Sequence, residues 1–209
     1  MFRRLMSAKG IAWFLCGVAV ALVSGQAMAD VTQERADVVG QGMAGPVVAS
    51  NGAKLIRSDS GLTADIRIPT PQPGSYAYPT GNAFNPDAEP GHPEVYSLWV
   101  FVFNHPEDCQ SLLGFPTTCD LADFQAGRGA PGAFNAGGHV VGGAPHLQLS
   151  GHVSLNSEPF AGLRLTEPRT AEVHFAIAPH GALSPEHMPS QIQTPIGSVD
   201  FWWLAFFAP

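Results

Sequence analysis

VYSLWVFVF, residues 95–103, is the stretch whose reading decides the fold. From Leu98 through Trp99, Val100, Phe101, Val102 and Phe103 no polar residue intervenes. Successive side chains of a strand point to opposite faces. An unbroken apolar run of this length therefore buries both faces, as a central strand does. Residues 199–207 repeat the feature with Phe201, Trp202, Trp203, Leu204, Phe206 and Phe207. That segment is too short to cross a bilayer as a helix, which takes roughly 20 residues, so it reads as a second central strand.

Around these two runs lie segments that alternate. Leu62, Ala64, Ile66 and Ile68 alternate with Thr63, Asp65 and Arg67. Leu147, Leu149, Gly151, Val153 and Leu155 oppose His146, Gln148, Ser150, His152 and Ser154. Val173, Phe175 and Ile177 oppose Glu172, His174 and Ala176. Each reads as a strand with one dry and one wet face. Lys54 to Arg57 reads as a short strand, and Phe134 to Val141 as one weakened by Gly137-Gly138, a pair that marks a bulge or a close backbone approach. Ser58 to Gly61 and Gly142 to Pro145 are turn signals, and Asn51-Gly52 is the dipeptide of a tight hairpin turn. Pro69 to Pro93 is a long Pro- and Gly-bearing loop, of the kind that is functional or mobile in a compact domain. Pro179 to Gly197 reads as loop with one helical turn, begun by Ser184-Pro185-Glu186. No long amphipathic helix is present. The fold expected is all-β: a single antiparallel β-sandwich or partly closed barrel of about seven or eight strands with long Pro/Gly loops.

The N-terminus has a different character. Arg3, Arg4 and Lys9 precede an apolar stretch, Ile11 to Gly25, and Ala27-Met28-Ala29 precedes Asp30. A basic head, a short apolar stretch and small residues before a cut are the marks of a secretory signal peptide. Residues 1–29 are therefore expected to be removed. Residues 30–52 form a lead-in with one edge strand near Val47-Val48, and residues 53–209 form the β domain. The localisation expected is exported, periplasmic or extracellular, with no membrane span after cleavage.

Charge narrows the partners. Ten basic residues against seventeen acidic give a net charge of −7 for the whole chain. Loss of Arg3, Arg4 and Lys9 leaves seven against seventeen, or −10. Nucleic-acid binding needs a basic footprint, which this composition lacks. Partners open to it are a small molecule, a glycan or an envelope protein. Cys109 and Cys119 both follow the leader. In an oxidising compartment such a close pair bridges, and the spacing is wrong for a Cys-x-x-Cys redox site.

Residues 98–109, an aromatic strand running through Phe103-Asn104-His105-Pro106 to Cys109, resemble a segment of a group of exported bacterial β-domain proteins. Gly138-His139-Val140-Val141-Gly142, Ala171-Glu172-Val173-His174 and His180-Gly181 are similar to other segments of that group. The resemblance implies an exported β domain and carries no activity with it. The chain departs from the group at Pro195 to Ser198, where the group has further cysteines and this chain has none.

Histidine on strands is the sharpest chemical signal. His139, His152, His174 and His180 are candidate ligands for a transition metal, because imidazole nitrogen is the commonest protein ligand for zinc, copper or iron. Glu172, on the same strand face as His174, is a candidate carboxylate ligand or general base. This reading requires neighbouring strands and converging rings. Against it stands a plain polar role on half-exposed strands. Glu107, Asp108, Asp120 and Asp123 read as a solvated acidic rim of the disulfide loop, with a weak calcium site lacking EF-hand spacing as the alternative. No Gly-x-Ser-x-Gly elbow accompanies any serine. The function expected is a non-catalytic binding or envelope-associated domain; a metal-binding protein or metal-dependent enzyme is the alternative.

Overall fold

The structure, a computed structural model, describes residues 30–110 and 118–209. The expected signal peptide lies outside the described residues. Among the described residues nine strands form one antiparallel sheet: β1 (Thr32–Val39), β2 (Val47–Ser58), β3 (Gly61–Pro69), β4 (Glu94–Phe103), β5 (Pro131–Val141), β6 (His146–Ser154), β7 (Ala161–Gly162), β8 (Glu172–Ala182) and β9 (Trp203–Phe207). Their order across the sheet is β6-β3-β2-β1-β9-β8-β4-β5-β7. The sheet curls into a half-barrel, in agreement with the all-β, partly closed form expected from the sequence. Two short helices, α1 (Leu121–Ala126) and α2 (Ser190–Gln193), sit in its loops.

The concave side holds the main core. Leu55, Leu62, Ile66 and Leu149 from one arm of the curl meet Val100, Val102, Phe134 and Phe175 from the other, all buried. As their unbroken apolar runs foretold, β4 lies between β5 and β8, and β9 between β1 and β8. The Gly137-Gly138 signal also corresponds to a bulge: the register against β4 slips between the pairs Leu98–Gly137 and Trp99–Asn135. Gly138 leaves room for Ile192 of α2, which a Cβ there would meet at 1.9 Å.

Several segments differ from their sequence reading. The lead-in contains β1, an interior strand of the sheet rather than a loose segment. Its Thr32, Gln33, Arg35 and Asp37 are polar, so hydropathy conceals it; the ladder to β2 along Thr32–Arg57 through Ala36–Ala53 secures it. Asn51-Gly52 makes no hairpin turn. β2 runs straight through it, and Asn51 takes its positive φ of 51° at a bulge, where its amide donates to Asp37 Oδ1 at 2.7 Å. Left-handed backbone suits a bulge as well as a turn, and the β1 ladder on both sides selects the bulge. Pro185–His187 does form a helical turn, of 3-10 type, but Ser184 does not cap it; its Oγ pairs with His187 Nδ1 at 2.7 Å instead.

Arg57 ties β1, the segment before β8 and the segment after β9 together. It is 2% exposed. Its Nε donates to Glu34 at 2.6 Å, its Nη1 to the carbonyls of Pro168 and Ala171, and its Nη2 to that of Ala208. A guanidinium can be buried at tolerable cost only with its donors satisfied in this way.

The two arms of the curl touch where β5 crosses β6. A Cβ on Gly151 of β6 would stand 2.1 Å from the carbonyl oxygen of Ala136. Alanine is ordinarily favoured over glycine inside a strand, so the sign of Gly151→Ala is set by this collision. The expected cost is about 1–3 kcal/mol. Gly142→Ala, whose Cβ would meet only ordinary contacts at 3.7 Å, should be near neutral. Thermal unfolding of the two variants beside the parent checks this, at about 2–4 °C per kcal/mol.

Candidate binding site

Alternation along β8 predicts one wet face, bearing Glu172, His174 and Ala176. In the structure all eleven residues of β8 are buried. A second, smaller core covers this face, built on Trp99, Ala176, Ala178, Trp202 and Leu204 with Met43, Phe101, Val199, Phe201 and Phe206 against it.

The cover depends on the disulfide loop. Cys109 and Cys119 are bonded, as expected from their spacing. Directly after Cys119, Asp120 opens α1 with a reciprocal cap: its Oδ1 accepts from the amide of Asp123, and Asp123 Oδ2 accepts from the amide of Asp120. Asp123 is fully buried and also takes the Gln110 amide at 2.8 Å and Arg128 Nε at 2.6 Å. Burial alone would raise its pKa. Those two amides and the guanidinium outweigh it and hold the carboxyl below its ordinary value. Asp120 and Asp123, read from sequence as a solvated rim, are thus the frame of a helix. The signal was present as a capping box with two aspartates, a rarer form than Ser/Thr with Glu.

α1 brings Leu121 and Phe124 over the outer face. Phe124 stands edge-on to Phe101 and Phe103, with ring centres 5.6 and 6.4 Å away, and Trp202 stacks on Phe101 at 5.8 Å. Beneath them a cavity of about 110 Å³ remains, walled by Met43, Phe103, Phe124, Trp202 and Phe206, with His174 in its lining. The His174 ring lies 4.9 Å from Phe206 and 5.2 Å from Phe103. Its Nε2 meets Glu172 Oε1 at 2.7 Å. Glu172 also accepts the Cys119 amide on Oε1 at 2.9 Å and the Thr118 amide on Oε2 at 2.8 Å. Burial works to raise the Glu172 pKa. The hydrogen bond and charge of His174, with the two amides, overcome it and leave the group below the usual carboxylate value. An ionised Glu172 only accepts, so His174 Nε2 carries a proton, and among the described residues Nδ1 makes no hydrogen bond.

The four candidate histidines are not brought together. His152 is exposed and pairs with Thr63 Oγ1 at 3.2 Å across to β3. His139 is exposed on β5, opposite Tyr96. His174 lies on the outer face of β8, while His180, six residues along the same strand, is fully buried against Ser97 Oγ at 2.9 Å. Among the described residues no three His, Cys, Asp or Glu side chains are grouped as metal ligands would be. The period-2 count placed His152 and His174 on the faces away from the concave core, but only His152 is exposed there, and His174 is buried under the aromatic layer. The count carried no information about which walls of the curl those positions face.

Comparison of the chain with protein-family models, curated proteins and solved structures finds no match.

His180 gives a pH signature. Burial pushes its imidazole down from 6.5 to about 4, against a small opposing pull from the Phe84 backbone. Between those values the unfolded chain binds a proton that the folded chain does not. Stability is therefore complete above pH 6.5 and is lost as pH falls toward 4. Over the whole window this amounts to about 3 kcal/mol. Urea unfolding of the parent at pH 7 and pH 5 should show a fall that His180→Gln removes. An equal fall in the variant would assign the acid sensitivity to other groups.

Proposed function

We propose that this chain is an exported binding domain that takes a small aromatic molecule bearing a hydroxyl group in the cavity beneath Trp202. The observation that carries the reading is the cavity itself: an aromatic enclosure lined by two polar side chains, Asp120 and His174, with His174 Nδ1 making no hydrogen bond among the described residues. Ligand sites are mostly apolar with a few placed polar groups. An engineered cavity of about 150 Å³ admits benzene; the space here, about 110 Å³, is smaller and takes no more than one ring. With Nε2 committed to Glu172, Nδ1 accepts from a partner in the neutral ring and donates in the cation, and a phenolic hydroxyl, both donor and acceptor, serves either form. Among the described residues His174 makes one hydrogen bond, to Glu172, and no serine or cysteine stands beside it as a nucleophile; this supports binding over catalysis. Export is supported by the leader-like N-terminus and by the Cys109–Cys119 bond, which persists in oxidising compartments.

Phenol and toluene, titrated by calorimetry, test the reading. Both should bind the parent, phenol the more tightly. His174→Leu should weaken phenol by about threefold to tenfold, the worth of one neutral hydrogen bond, and leave toluene unchanged. Saturable binding of neither compound would overturn the proposal.

A further inference from the structure

A second buried site lies away from the aromatic cavity, at the entrance to β4. Glu94 is 3% exposed. Its Oε2 accepts from two phenols, Tyr76 and Tyr96, each at 2.7 Å, and the two hydroxyls stand 3.2 Å apart. Burial, above all, raises the pKa of both phenols, so both remain O–H donors. Each has one hydrogen, and both hydrogens go to the same oxygen. Glu94 Oε1 is buried and has no hydrogen-bond partner. A buried carboxyl oxygen without a donor is costly, and native structures rarely leave one.

Glu94 and Tyr96 line a cavity of about 420 Å³, bounded also by Thr70, Gln72, His92 and Gly143. The long loop between β3 and β4 supplies one wall and the turn between β5 and β6 the other. Thr70 joins the two walls, through its Oγ1 to the carbonyl of Ala144 at 2.6 Å and its amide to that of Pro145 at 3.1 Å. A water molecule occupies about 30 Å³ of liquid, so the space accommodates a molecule of several heavy atoms.

The geometry points to a binding site for a small primary ammonium ion, whose N–H groups supply the donor that Glu94 Oε1 lacks. Three features select a cation over a neutral donor. The recipient is a carboxyl group. The Tyr96 ring lines the same cavity, and aromatic rings attract ammonium. The domain after residue 29 carries a net charge of −10, by the count of basic and acidic residues given above. The site is independent of the cavity under Trp202, and neither depends on the other.

The test uses the folded protein without its leader and n-butylammonium as probe, followed by ligand-observed NMR. Tetramethylammonium, which has the charge and no N–H, and n-butanol, which has a donor and no charge, are the controls. The expectation is saturable binding of n-butylammonium, with both controls weaker by about tenfold or more. Glu94→Gln keeps an acceptor for the two tyrosines and should weaken the probe by a similar factor. Ala144→Trp, at an exposed turn position, should exclude the probe without touching Glu94, and near-UV circular dichroism should show both variants folded. His174→Leu should leave n-butylammonium binding unchanged. Binding in Glu94→Gln equal to the parent, n-butanol matching the ammonium ion, or no saturable binding of n-butylammonium would each overturn the proposal.

Discussion

Everything on the outer wall depends on β8 having no face left for water. Its odd-numbered residues from Val173 to Ile177 fill the concave core, and its even-numbered ones are roofed by a second layer. A strand that carries Glu172 and His174 can be buried on both faces only if those groups satisfy each other. The carboxylate accepts the imidazole and two amides of the disulfide loop, and so the same interaction that neutralises the polar cost also fastens the roof. The disulfide, the aspartate-capped α1 and the Trp202 segment are then parts of one arrangement. Its imperfect closure over His174 is the cavity.

The same economy governs the other buried polar groups. Arg57 spends its donors on a carboxylate and three carbonyls, and Asp123 is met by three amides or guanidinium hydrogens. In each, burial and neighbours oppose one another, and the neighbours prevail. His180 pairs with Ser97 through one ring nitrogen and yields to burial by staying neutral. Glu94 has one oxygen doubly served and the other unserved, and Asn85 Oδ1 is likewise unserved among the described residues.

Much of the fold was legible where a residue's environment is set by its own strand. Two-sided apolar runs marked β4 and β9 as interior, strict alternation marked β3 and β6, and paired glycines marked the bulge in β5. The parts that were not legible depend on partners distant in sequence. β1 is polar along most of its length and is a strand because β2 offers it a ladder. The Asn51 backbone is compatible with a turn or a bulge, and only the neighbouring strand decides between them. Glu172 and His174 were visible as a pair, but nothing in alternation announces that a wet-looking face will be covered by a loop. Convergence of four histidines required knowledge of the curl, which period-2 counting does not contain.

One feature of the strand order bears on how such a chain reaches its final state. The sheet consists of two runs, β6-β3-β2-β1 and β9-β8-β4-β5-β7, and they are joined through β1 and β9, with Val39 facing Leu204. The first strand of the described chain thus waits for the last. During vectorial synthesis neither run can complete its neighbour until β9 emerges. Folding is then gated by β9, in a topology whose long-range pairings are slow to form. A chain that stops short of β9 would present two sheet edges at the seam, each an invitation to pair with another copy.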